Sequence, residues 1–270
     1  EGAGALVLKR LSDAVADGDA IWAVIRGSAV GQDGHSNGLT APSGPAQQAV
    51  LQAALADARL VPAQVGYVEA HATGTRLGDA IEAEAIGAVY GQGRSAPVRV
   101  GALKPNLGHL EAASGMAALI KAILALRAGT IPPARPVSAL NRDIDPSEAG
   151  IELVTAETPW PADAPCAGVS AFGMSGTNAH LILGPAPEPA AAPQVEHRPR
   201  VLCLSAATDT ALASLAGAVA EALHDDMAWP DVCATLNLGR KAFARRCVIE
   251  AADTAEGRDR LRAFVAGQTG

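Results

Sequence analysis

Aromatic side chains are scarce in this 270-residue chain, making up 3% of a sequence that is 49% hydrophobic overall. A core short of large rings has to be filled by Ala, Val, Ile and Leu, which let helices and sheets approach closely and suit a layered α/β protein. Cysteine is sparse too. Cys166, Cys203, Cys233 and Cys247 stand singly with no C-x-x-C pair, which excludes a disulfide framework and a zinc knuckle and reads as reduced cytoplasmic thiols. Charged residues are only 18%, and 28 Asp+Glu against 21 Lys+Arg give a net charge of −7. No cation cluster is able to follow a phosphate backbone, so nucleic-acid binding is excluded. No apolar run reaches the roughly 18 residues that span a bilayer. The opening Glu1-Gly2-Ala3-Gly4 has neither the basic nor the apolar region of a signal peptide. The expectation is a soluble, cytoplasmic protein with no membrane partner.

Hydrophobic patterning predicts the elements. Residues 5–11 and 20–27 read as strands, and a domain rarely begins inside its sheet, so a segment is expected to precede Glu1. The loop GQDGHSNGLTAPSG, residues 31–44, leads into a helix over 46–60 with Pro45 at its first position. A strand over 65–70 runs into His71-Ala72-Thr73-Gly74-Thr75, small and hydroxylated residues at a strand's carboxyl end, where α/β sheets place ligands. A helix over 79–90 follows, opened by Asp79 with Glu82 three residues on. A strand over 98–103 delivers Lys104-Pro105-Asn106-Leu107-Gly108-His109, and an apolar helix over 114–127 is stopped by Gly129. Three short strands are predicted over 151–154, 167–172 and 179–183. The Pro- and Ala-rich stretch 185–200 reads as a semi-stiff linker between residues 1–184 and a small α/β unit over 201–270.

Two strand ends thus each deliver a histidine inside a Gly/Thr/Asn loop. Neutral imidazoles placed there can donate hydrogen bonds to a developing oxyanion. Neither histidine has a carboxylate or thiol at the usual metal-ligand spacing, so no metal is expected. Gly173-Met174-Ser175-Gly176 lacks the spacing of a nucleophile elbow, and no phosphate-binding glycine motif occurs. Glu82, Lys104 and Phe172 each have a plainer alternative: Glu82 as a capping residue partnered with Asp79, Lys104 as a solvated lysine and Phe172 as core. His180 reads as structural, and Asp33, Asn37 and Asn106 as residues that fix loop geometry.

The strings EAHATGTRLGD (69–79) with Ile81-Glu82-Ala83, GALKPNLGHLEAA (101–113) and SAFGMSGTNAH (170–180) resemble motifs of β-ketoacyl synthase domains in modular type I polyketide synthases. So do Gln32-Asp33-Gly34 and SNGLTAP (36–42). Residues 199–270 resemble the small subdomain that links a ketosynthase to an acyltransferase. The resemblance implies the carboxyl-terminal part of a thiolase-like layered α/β/α/β/α fold, then a small α/β linker subdomain. It implies decarboxylative Claisen condensation of a carrier-bound malonyl-type unit with an acyl chain held on a cysteine. By position, His71 and His109 would stabilise the thioester oxyanion or enolate. Lys104 would pair with Glu82 and hold the second loop, Thr73, Thr75 and Asn106 would line the pantetheine path, and Phe172 would gate the nucleophile. No cofactor is bound directly; substrates ride on the phosphopantetheine of an acyl carrier protein. The implied partners are that carrier protein, an adjacent acyltransferase domain, the amino-terminal ketosynthase half and a second copy in a homodimer.

Departures from the pattern shape the reading as much as the matches. The family's cysteine motif does not occur, none of the four cysteines replaces it, and without a thiolate there is no acyl-enzyme. The chain alone is therefore expected to be inactive in condensation. Ala72 stands where glycine is usual, Pro105 where a small hydroxyl residue is, and Gly31 where asparagine is. Two other readings stay open: a non-catalytic structural or carrier-docking fragment, and a decarboxylase-type relative.

Overall fold

The computed structural model describes residues 1–34, 38, 41–94, 96–134, 140–188 and 200–268. The described chain divides into two compact units, Glu1–Glu188 and Pro189–Gly270. The first opens with ten residues in no regular element and then α1, Leu11–Ala16. The strand predicted over 5–11 does not form. Its apolar residues have no neighbouring strand: Val7 is 98% exposed, and only Leu6 packs on the core.

The remaining elements of this unit are β1 (Ala23–Gln32), α2 (Gly44–Ala58), β2 (Val65–Glu69), α3 (Arg76–Tyr90), β3 (Val98–Gly101), α4 (Lys104–Leu107), α5 (Ser114–Ala128), β4 (Thr130–Ile131), α6 (Pro146–Ala149), β5 (Ile151–Leu153), β6 (Thr158–Pro159), β7 (Cys166–Phe172) and β8 (Thr177–Pro185). Six strands make one mixed sheet in the order β1-β8-β7-β2-β3-β5. β7, β2, β3 and β5 run parallel, whereas β8 and β1 are antiparallel to their neighbours. The two-residue strands β4 and β6, too short for any periodicity to show, form a separate ladder.

Helices cover both faces of the sheet. α2 and α3 pack Leu51, Leu55, Ile86 and Tyr90 against Val68, Val98, Val100 and Ile182 on one side. On the other, α5 packs Leu119 and Ile123 against Tyr67, Val169 and Leu183. β2 is buried along its whole length, as expected of a central parallel strand. α2 starts earlier than the predicted 46, at Gly44, with Ser43 accepting the Ala46 N–H at 3.3 Å and Pro45 in the first turn. Its close seat on β1 needs a glycine: a Cβ on Gly27 would stand 2.3 Å from Ala58 N.

The second unit contains β9 (Arg200–Ala206), α7 (Asp209–Ala222), α8 (Trp229–Leu238), β10 (Arg245–Ala251) and α9 (Thr254–Val265). β9 and β10 are antiparallel, and Leu202, Leu204 and Ile249 meet Leu212, Trp229 and Leu261 in a core of their own. Asn237 protects the outer edge of β9, accepting from Cys203 N and donating to Val201 O, each at 2.8 Å. Most of the predicted linker, residues 189–199, lies outside the described residues.

A buried histidine makes the first unit sensitive to acid. His180, 1% exposed, joins Tyr90 OH at 2.7 Å and Ser170 Oγ at 3.0 Å, and burial pushes its pKa down to about 3. The unfolded chain takes up this proton below about pH 6.5, whereas the folded chain does not until about pH 3. Stability is therefore lost as pH falls between those values. Urea midpoints of wild type and His180→Gln, measured from pH 7 to 4, should show the variant less stable at pH 7 by about 1–3 kcal/mol. Its dependence on pH should be shallower by up to one proton.

Candidate active site

Because β2, β3 and β7 are parallel, their carboxyl ends share one edge of the sheet. His71 follows β2, Lys104 follows β3 and Phe172 ends β7. α4 and the turn at Gly108, whose φ of 84° favours glycine, bring His109 back to the same edge. The His71 and His109 rings meet edge to face at 86°, with centroids 5.6 Å apart. The half-buried Phe172 ring stands 5.8 Å from His71. Lys104 Nζ lies 3.4 Å from His71 Nδ1.

These contacts set the tautomers. An ammonium can only donate, so beside Lys104 the His71 Nδ1 presents its lone pair and Nε2 carries the proton. His109 Nδ1 accepts the Glu111 N–H at 3.2 Å, which again leaves the proton on Nε2. Burial, then the charges of Lys104 and His109, lower the His71 pKa to about 4, so His71 is neutral at pH 7. Burial lowers the Lys104 pKa against the pull of Glu82, Glu69 and Asp79. His71 therefore offers a neutral N–H donor rather than a cation, and the His109 Nε2–H stands beside it.

Glu82 holds the first loop from beneath. Its carboxylate accepts the His71 and Ala72 N–H groups at 2.7 and 2.8 Å. Burial raises its pKa to about 7 against these two bonds and Lys104. It caps no helix: α3 begins at Arg76 with Thr75 as its N-cap, while Asp79 turns back to accept the Gly74 N–H at 3.1 Å. Lys104 and Glu82 attract each other by charge, while the hydrogen-bond contact of the lysine is to His71 Nδ1 and the Glu82 oxygens accept from backbone. Thr73 and Thr75 are exposed, their hydroxyls 3.5 Å apart, and Asn106 is exposed on α4. Pro105 occupies the first turn of α4, a favourable place for proline. His35 and Asn37 lie outside the described residues.

A cavity of about 480 Å³ lies behind the loops, lined by Ala72, Glu82, Ile86, Val100 and Leu153 among others but by neither histidine. Among the described residues no His, Cys, Asp and Glu side chains gather as a metal site, and no helix is long and apolar enough to cross a membrane. Cys166 is buried at the start of β7, the strand end opposite Phe172, and burial raises its pKa. Glu69 and Lys121, a buried ion pair at 2.7 Å whose carboxylate also accepts the Leu103 N–H, were not among the residues that the sequence singled out. The available signal was a lone carboxylate in the strand VGYVE and a lone ammonium in the helix SGMAALIKAILALRA.

Residues 22–138 match the family model of the β-ketoacyl synthase C-terminal domain, and residues 141–247 that of the ketoacyl-synthetase C-terminal extension. The chain belongs to the β-ketoacyl synthase family, and its mixed sheet between helices is the carboxyl-terminal part of the thiolase-like ketosynthase fold. It is 48% identical over 280 residues to the polyketide synthase GfsA of Streptomyces halstedii, covering 100% of this chain and 4% of that protein. It is 54% identical over 202 residues to the pikromycin polyketide synthase component PikAIII of Streptomyces venezuelae, covering 73% of this chain and 13% of that one. An oxazolomycin ketosynthase domain of Streptomyces albus superposes with a TM-score of 0.82 at 34% identity, covering 97% of this chain and 47% of that domain. The chain thus spans a small part of these curated relatives and about half of the solved ketosynthase.

Ala72, for which the resemblance implies glycine, adopts a φ of 37°, a left-handed conformation that costs a residue with a Cβ. Ala72→Gly should raise stability by about 1 kcal/mol, read as a higher urea midpoint with unchanged slope. An unchanged or lower midpoint would contradict this account of the loop.

Proposed function

We propose that this chain supplies the two-histidine half of a β-ketoacyl synthase site in a polyketide synthase. The observation that carries the reading is the edge-to-face pair His71 and His109, each with a proton on Nε2 and His71 neutral. In the reaction, an acyl chain held as a cysteine thioester meets a malonyl-type thioester on the phosphopantetheine of an acyl carrier protein. The malonyl carboxylate leaves as CO₂, its bonding electrons form an enolate, and the enolate carbon attacks the acyl carbonyl. The new C–C bond forms as the C–S bond to cysteine breaks, and the departing thiolate takes a proton. The imidazole Nε2–H groups donate to the thioester oxygen on which charge develops. Lys104 holds the His71 tautomer and Glu82 the His71 backbone; Thr73, Thr75 and Asn106 line the pantetheine path, and Phe172 gates the acyl chain.

The nucleophilic cysteine comes from outside these residues, and the chain by itself is inactive in condensation. A carrier protein, an amino-terminal ketosynthase half, an acyltransferase domain beyond the 201–270 subdomain and a second copy are its partners in the cytoplasm. In this division residues 1–184 are ketosynthase and 185–200 linker. The lack of a site thiol favours a second reading for the chain on its own: a structural or carrier-docking piece, or a decarboxylase-type relative.

With the amino-terminal half supplied, His71→Ala and His109→Ala should each slow condensation by about 10²–10³-fold while leaving acylation of the cysteine measurable. Mass spectrometry of the carrier-bound product reads the first, and intact-protein mass the second. Condensation at the wild-type rate by both variants, or acylation of the chain alone, would overturn the reading.

A further inference from the structure

One buried carboxylate ties together the three segments that carry His71, Lys104 and His109. The Glu69 side chain is 1% exposed, and a charge so placed persists only where bonds replace its hydration. Oε1 accepts the Leu103 N–H at 2.7 Å. Oε2 accepts from Lys121 Nζ at 2.7 Å and from Tyr67 OH. Lys121 also donates to the Tyr67 oxygen at 2.8 Å, and its side chain is 11% exposed. Burial, then the Glu69 charge, raises the Tyr67 pKa, which keeps the phenol a donor. Among the described residues this is the only ion pair with both partners shielded from water.

The connections matter more than the pair. Glu69 ends β2 two residues before His71; Leu103 directly precedes Lys104; Lys121 lies in α5, the helix that follows His109. Gly101 leaves room for the cluster, since a Cβ there would stand 2.5 Å from Tyr67 OH. We propose that Glu69, held by Lys121 and Tyr67, is a positioning residue that fixes the Lys104–His71 contact and the orientation of both imidazoles. It touches no substrate. Its bearing on catalysis rests on the function proposed above; its hold on the histidines does not.

A merely structural ion pair can be exchanged for apolar residues of similar size without disturbing its surroundings, and the experiment uses that difference. Long-range ¹H–¹⁵N spectra of the histidines, recorded on this chain at pH 7, should show His71 and His109 as Nε2–H tautomers. Glu69→Leu with Lys121→Met removes both charges and the acceptor for Leu103. It should leave the melting transition cooperative but move the His71 Nδ1 and Nε2 signals toward each other as the tautomers mix. Glu69→Gln with Lys121→Met keeps that acceptor and should restore the wild-type signals. Tyr67→Phe, which deletes one donor without changing the packing, should shift the signals in the same direction by less. Wild-type histidine signals in the Leu/Met variant overturn the proposal; if that variant does not fold, unmoved signals in Tyr67→Phe do so. In the reconstituted synthase the Leu/Met variant should lower kcat about tenfold or more at unchanged KM for the carrier. Shifted histidines with unchanged condensation would leave the positioning role standing and count against the proposed function.

Discussion

A buried carboxylate must be answered by hydrogen bonds, and the ligand edge of this sheet is organised by two of them. Glu69 accepts the Leu103 amide at the start of the second loop, and Glu82 accepts the His71 and Ala72 amides in the first. Both are almost fully buried. Neither contact is made to an imidazole; each fixes the backbone from which an imidazole or Lys104 projects. The loops can therefore be short, glycine-rich and exposed at their tips while their bases are rigid, the preorganisation that the proposed oxyanion stabilisation would require.

The same burial sets the chemistry of the side chains. Taking His71 out of water disfavours its cationic form, and the neighbouring Lys104 adds to the effect. The lysine thereby does two things: it presents a cation beside the ring, and it orients the ring by bonding Nδ1. The loop around His109 reaches the equivalent tautomer by another route, a backbone N–H from Glu111, which itself adopts a positive φ of 49°. Ala72 and Glu111, the strained non-glycine residues nearest the histidines, lie in these two loops. Strain at such positions persists where the surrounding structure over-determines them.

Much of this was legible in the sequence, for identifiable reasons. β2, α3, β3, α5, β7 and β8 carry long apolar patterns bounded by Gly, Pro and polar loops, and they form close to where the pattern places them. Residues 5–11 carry a similar pattern and form no strand, because a pattern of side chains does not reveal whether a neighbouring strand exists to pair with. At the site, the Gly/Thr/Asn loops led to His71, His109 and Lys104, which the fold brings together. The partner of Glu82 was not legible: spacing predicts a cap three residues away, whereas the contact is to amides ten and eleven residues earlier. Glu69 and Lys121 were hidden for a related reason, since their separation of 52 residues is bridged by the packing of α5 on the face of the sheet.

The account stands most directly on the charge state of His71. A pH titration of its imidazole, followed by ¹³C or ¹⁵N NMR on this chain, should give a midpoint near 4, with the proton on Nε2 throughout the neutral range. A midpoint near the ordinary histidine value of about 6.5 would mean that the ring is solvated and free of Lys104, and would contradict a preorganised neutral donor at His71.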